Sequence, residues 1–227
     1  MKLRDITAND IYRGNGPQLI VCILIDASYS MIDPFSDENT RESKIKVVND
    51  GISAFIESGK KDIYARDALD VCLISYGGEK AEVIQEFTNV QNIEFKGIRP
   101  NGKTPLKSAV EFALDKIAQR REYWSSSGTS TFHPWLIILS DGKSDEDITE
   151  TAARLQKLYA EHRLKGKCVA IGRDSDTADL KKLAPNGKIE EMDSMEITSF
   201  FSMLSKSAAS LSMSTPDADD YGAEIRV

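Results

Sequence analysis

Apolar positions along the chain fall into two alternating patterns. Residues 18–25, QLIVCILI, form an unbroken apolar run that stops at Asp26. A strand apolar on both faces belongs inside a parallel sheet covered on both sides by helices. Residues 43–58 then place Ile45, Val48, Ile52, Phe55 and Ile56 at three- and four-residue spacing, which predicts one apolar helical face. A second strand is expected over 68–76 (ALDVCLISY) and a break at Gly77 and Gly78. A third follows over 81–88 (AEVIQEFT), with Val83, Gln85 and Phe87 on one side. So short a break predicts a hairpin, so the third strand should run antiparallel at an edge.

Further along, Leu106, Ala109, Val110, Ala113, Leu114 and Ile117 mark a helix over 105–120, and SSSGTST at 125–131 a loop. WLIILS at 135–140 is another fully apolar strand, ending at Asp141-Gly142. Ser144, followed by Asp145, Glu146 and Asp147, predicts a helix start that runs on to residue 162. The serine would cap free N–H groups, and acids favour the positive helix end. KCVAIG (167–172) reads as a strand, TADLKKLA (177–184) as a short helix and KIEEM (188–192) as a weak strand. A last helix over 196–211 turns Ile197, Phe200, Phe201 and Leu204 inward.

This alternation predicts a doubly wound α/β fold. The sheet would be six-stranded and mostly parallel, with one antiparallel edge strand and helices on both faces. No internal repeat or domain-sized linker interrupts it. The expected organisation is a lead-in over 1–16, one domain over 17–211 and an acidic tail over 212–227, either disordered or docked in extended form.

Composition narrows the function classes. The net charge of −7 over 227 residues lacks the basic footprint of a nucleic-acid binder and disfavours anionic membranes. Cys22, Cys72 and Cys168 each sit within an apolar run, so they read as buried small hydrophobes in a reducing compartment. The N-terminal MKLRDITANDIYRGNG has no apolar stretch behind its basic residues, unlike a signal peptide. No run approaches the roughly 18 apolar residues of a membrane span. A cytoplasmic location is therefore expected. His133 and His162 stand apart and read as surface or structural residues. Trp124 and Trp135 read as packing residues, Trp124 partly exposed beside the 125–131 loop.

In a doubly wound sheet, ligands bind outside the carboxyl ends of the strands, where strand order reverses. Three short, oxygen-rich segments can meet there: Asp26-Ala27-Ser28-Tyr29-Ser30, Gly102-Lys103-Thr104-Pro105-Leu106, and Asp141-Gly142. Together they offer three hydroxyls and two carboxylates, without Cys or His. Such a donor set suits a hard cation: magnesium, manganese or calcium. Few direct carboxylate ligands would leave the ion electrophilic. An acidic chain could in this way recognise an acidic residue of another protein.

These residues carry a family resemblance. The D-x-S-x-S of 26–30, the Thr of GKTPL and the S-D-G of 140–142 together resemble the metal-ion-dependent adhesion site of von Willebrand factor A domains. The resemblance implies that Ser28, Ser30 and Thr104 contact a magnesium-type ion, with Asp26 and Asp141 often acting through water. It also implies an interaction module without catalysis. Tyr29, Met31, Asp33, Lys103 and Lys143 would form the partner-binding rim. The compact bacterial form of the tellurium-resistance TerY type is most similar, with its early D-x-S-x-S and Phe/Ser-rich last helix. This implies a phosphatase or kinase partner in a stress-response system. The chain departs from the pattern over Asp33–Arg41, DPFSDENTR, which lengthens the loop after the metal motif and is read as a solvated loop, a partner-contacting rim or an auxiliary cation site.

Two other readings compete. GIRPNGKT (97–104) matches the phosphate-binding pattern G-x-x-x-x-G-K-[ST], with Lys103 for phosphates and Thr104 for magnesium, as in a nucleotide hydrolase. That motif must follow a buried strand, and NVQNIEFK before it is polar. An aspartate-based phosphatase using Asp26 would need a second acid two residues on, where this chain has Ser28, a poor general acid.

Overall fold

The computed structural model describes residues 16–36, 40–142, 144–173 and 175–214. Six strands form one sheet: β1 (Leu19–Asp26), β2 (Leu69–Gly77), β3 (Lys80–Asn89), β4 (Trp135–Ser140), β5 (Lys165–Ile171) and β6 (Glu190–Met192). Their spatial order is β3-β2-β1-β4-β5-β6. All neighbours are parallel except the β2–β3 hairpin, which puts the antiparallel strand at the edge as its short break predicts. β1 pairs with β2 on one side and β4 on the other. The chain therefore changes winding direction between β1 and β4, and the crevice at their carboxyl ends is the switch point.

Six α-helices accompany the sheet among the described residues: α1 (Lys44–Lys61), α2 (Ala65–Ala68), α3 (Leu106–Ser126), α4 (Thr149–Ala160), α5 (Ala178–Leu183) and α6 (Ser194–Ser212). Alternation along β1 divides the core. Leu19, Val21, Ile23 and Ile25 pack with Val48, Ile52 and Phe55 of α1 and with Phe200, Phe201 and Leu204 of α6. Cys22 and Leu24 face the other way, onto Leu106, Val110 and Leu114 of α3, Leu155 of α4 and Leu183 of α5. All three cysteines are fully buried. Among the described residues, no helix is long and apolar enough to cross a membrane.

The structure departs from the sequence reading at three points. The helix expected from Ser144 begins only at Thr149. Ser144 instead donates its N–H to Asp179, and Asp145 and Glu146 bond to Thr104 and Ser108 across the top of the domain. These tertiary bonds outcompete the helix start. The second departure is α3, which runs through Tyr123 and Trp124 to Ser126, so the polar loop is shorter than expected. With it, Trp124 is buried, and its indole N–H donates to Asp70. The third concerns Phe35, which is buried. With the Pro34–Ser43 bridge it anchors the described part of the 33–41 segment; residues 37–39 lie outside the described residues, as do most of the lead-in and the acidic tail.

Close packing of α1 on α6 gives one direct prediction. A Cβ at Gly51 would lie 2.3 Å from Cδ2 of Phe201, a ring with no exposure. Gly51→Ala should lower stability by about 1–3 kcal/mol through overpacking, despite the better helix propensity of alanine. Urea denaturation checks this, and a stabilised variant would contradict it.

Candidate metal centre

The site is built where β1 and β4 end. Asp26 is the last residue of β1 and has no solvent exposure. One carboxylate oxygen accepts the backbone N–H of Ser28 at 2.8 Å, and the other accepts the hydroxyl of Ser140 at 2.6 Å. Asp26 thus ties the turn after β1 to the end of β4. Burial pushes its carboxyl up to about 6; the Ser140 and Ser28 hydrogen bonds oppose that rise, and the charge of Asp141 adds to it.

Past Asp26 the chain turns into a 3-10 helix over Tyr29–Ile32. The turn brings the Ser28 and Ser30 hydroxyls to 3.0 Å from each other. Ser30 donates onward to Oδ1 of Asp141 at 2.8 Å, across 111 residues of sequence. A continuous line of oxygens runs from Ser28 through Ser30 to Asp141.

The Thr104 segment is fastened to both neighbours by its backbone. Asn101 N–H donates to the Ala27 carbonyl at 2.5 Å and Tyr29 N–H to the Gly102 carbonyl at 3.0 Å. On the other side, Thr104 N–H donates to Asp145 at 2.8 Å, and Asp145 N–H returns a bond to the Thr104 carbonyl. Two glycines allow the approach. A Cβ on Gly77 would sit 2.4 Å from the Asn101 carbonyl oxygen. Gly102 adopts φ +79°, a conformation side chains disfavour. An open groove of ≈ 470 Å³ borders the site, lined by Ala27, Gly77, Glu82, Arg99 and Asn101.

Thus Asp26, Ser28, Ser30 and Asp141 lie in one hydrogen-bonded cluster, and Thr104 is joined to it through backbone bonds. The donors are all oxygen, and several are already fixed by neighbours. This chemistry fits a hard divalent ion. Fixing of ligand groups by hydrogen bonds is what tunes such a centre.

Sequence reasoning missed three participants. Lys44, 5% exposed, extends from the first turn of α1 to Asp141, with Nζ 3.0 Å from Oδ2. Its signal was legible, because Lys44 falls in line with Val48, Ile52 and Phe55 on the apolar stripe of α1. A charge on a buried stripe needs a partner. Ser140 holds Asp26, and Asp145 holds the Thr104 backbone. Both contacts depend on tertiary approach and leave no periodic trace.

The expected rim separates. Tyr29 is 64% exposed, and Asp33 and Lys103 are also exposed, but Met31 is fully buried and packs into the core. In a 3-10 turn anchored inward at Met31, it is Ile32, 53% exposed, that shares the outer surface with Tyr29. Lys143 lies outside the described residues. The phosphate-loop reading lacks its framework. GIRPNGKT follows an irregular stretch after an antiparallel edge strand that ends at Asn89, with no parallel strand before it.

Comparison with known proteins agrees with this architecture. Among solved structures, a von Willebrand factor type A protein from Catenulispora acidiphila superposes with a TM-score of 0.58 at 17% identity, covering 85% of this chain and 43% of that one. The PilB minor pilin from Streptococcus sanguinis gives 0.57 at 13% identity, covering 86% and 62%. Proximal thread matrix protein 1 from the mussel byssus, with a zinc-occupied MIDAS motif, gives 0.52 at 12% identity, covering 83% and 47%. The chain thus spans only 43–63% of the length of these and the related mussel and pilin structures. No curated protein matches it. The family model described as von Willebrand factor type A domain matches residues 21–205, which include all five candidate metal residues. The chain belongs to the von Willebrand factor type A domain family.

Proposed function

We propose that the chain is a metal-dependent protein-interaction module whose metal-ion-dependent adhesion site consists of Asp26, Ser28, Ser30, Thr104 and Asp141. The family typically acts in metal-dependent protein interaction, and the mussel neighbour is described with a metal-occupied site. The observation that carries the reading is the hydroxyl–hydroxyl–carboxylate line from Ser28 through Ser30 to Asp141 at the switch point. Magnesium suits the neutral hydroxyl ligands and retained waters, with manganese or calcium as substitutes. A divalent ion held there supplies an electrophilic centre for an acidic oxygen. Ser28 and Ser30 orient it, while Asp26 and Asp141 balance its charge. Tyr29, Ile32, Asp33 and Lys103 form the surrounding surface, against which a partner's Asp or Glu would dock. A cytoplasmic stress-response setting of the tellurium-resistance type, with a phosphatase or kinase as partner, completes the proposal. No catalytic step is assigned to the chain.

The test is calorimetric titration of the chain and its Ser28→Ala/Ser30→Ala variant with magnesium and manganese. Loss of the hydroxyls should weaken binding by about 10–100-fold, with the circular dichroism spectrum unchanged. Equal affinity in a folded variant would refute the assignment.

A further inference from the structure

We infer that Lys44 is a resident cation that shares the Asp141 carboxylate with the divalent ion and so lowers the affinity of the site for metal. The inference rests on the metal-site reading above. Its starting point is how poorly Lys44 is placed for a lysine. It occupies the first turn of an 18-residue helix, where the dipole disfavours positive charge. Its side chain is only 7% exposed, and a buried ammonium is costly unless paired. Asp141, its side chain 1% exposed, offsets both terms by accepting Nζ at 3.0 Å.

The described ends of the connection that delivers Lys44 are bonded to each other. Ser43 pairs with Pro34 as an antiparallel bridge, and the Lys44 N–H donates to the Asp33 carbonyl. This pairing therefore sets the start of α1 beside the site. It leaves the ammonium on Oδ2 of Asp141 while Ser30 holds Oδ1.

Two consequences follow from charge. Asp26 and Asp141 present two negative charges, and Lys44 cancels one. A divalent ion therefore meets a weaker field than the two carboxylates alone would produce. Once it is bound, the fixed ammonium leaves the cluster net positive, which favours an anionic side chain on the outer face. Lys44 thereby trades metal affinity for affinity towards an acidic partner.

The test measures metal binding, with manganese as the probe, in the full chain and in Lys44→Met and Lys44→Gln. Calorimetry should give about tenfold tighter binding or more in both variants, since like charges around one carboxylate repel strongly at protein dielectric. A purely structural role predicts equal or weaker binding in the variants. That result would overturn the inference and leave the metal-site reading intact. Binding by the variants alone would support it in its strongest form. Absence of binding in all three chains would overturn the metal-site reading and the inference together. If the variants fail to fold, the unmodified chain decides through the 15N resonance of the Lys44 ammonium. It should shift when magnesium saturates the site, and an unchanged signal at saturation would overturn the inference.

Discussion

Asp70→Ala should destabilise the protein by about 3–5 kcal/mol, the cost of leaving one half of a buried ion pair without its partner. Asp70 lies near the start of β2 with its side chain 1% exposed. Arg120 of α3 donates to it twice, from Nε at 2.5 Å and Nη2 at 3.1 Å, and the Trp124 indole N–H donates at 2.6 Å. The guanidinium also stacks over the Tyr123 and Trp124 rings, 4.6 and 4.8 Å from their centroids. One carboxylate therefore fastens the last turns of α3 to the sheet. Its removal takes the carboxylate away from a largely buried guanidinium and a buried indole N–H. For a chain of this length each kcal/mol lowers Tm by roughly 2–4 °C, so a fall on the order of 10 °C is expected by calorimetry. Lys116→Met, which breaks the exposed pair with Glu86, should change stability by about 1 kcal/mol or less. Asp70 sits at the end of β2 opposite the candidate metal centre. Metal affinity in the folded fraction should therefore be unchanged, and a loss of affinity would contradict this division of roles.

The fold was legible because its strands are buried on both faces. Runs such as LIVCILID and WLIILS have few alternatives to the centre of a parallel sheet, and both occur as expected. The edge strand was legible for the opposite reason, since its alternation and the two glycines before it mark a hairpin. Errors clustered where tertiary hydrogen bonds override local preference. Ser144 has the residue type of a cap and its hydroxyl accepts the Glu146 N–H, yet the segment is tied to Asp179, Thr104 and Ser108 and the helix begins only at Thr149. The polar run after Trp124 reads as a loop, yet the helix whose indole bonds to Asp70 extends two residues into it, to Ser126. In the site, the residues that converge were named by type and position alone, because oxygen donors directly after buried strands have few other uses. Met31 was misplaced because alternate residues of an extended loop face outward together, whereas a 3-10 turn rotates by a third of a circle per residue. Tyr29 and Ile32 share its outer face for that reason, and Met31 falls beneath.

The ionisation of Asp26 gives the second large effect. A carboxyl with a pKa of 3.8 in an exposed chain and about 6 in the folded one holds its proton more tightly when folded. The stability linked to this group is fully present below pH 3.8. It declines as pH rises through about 6 and is gone above that. The difference corresponds to about 3 kcal/mol, and it runs opposite to the acid unfolding that paired carboxylates produce. In chelator-treated protein, urea denaturation between pH 4 and 7.5 should show the unmodified chain losing about 3 kcal/mol relative to Asp26→Asn, which cannot ionise. Parallel pH profiles for the two chains would show that Asp26 is not strained when charged. Magnesium at pH 7.5 should recover the loss in the unmodified chain only, because a cation stabilises the ionised form that burial disfavours. A carboxylate held at the end of the central strand, without exposure and bonded to the Ser28 N–H and the Ser140 hydroxyl, is a poor choice for stability alone. Its cost is explained if the site must present negative charge to a metal.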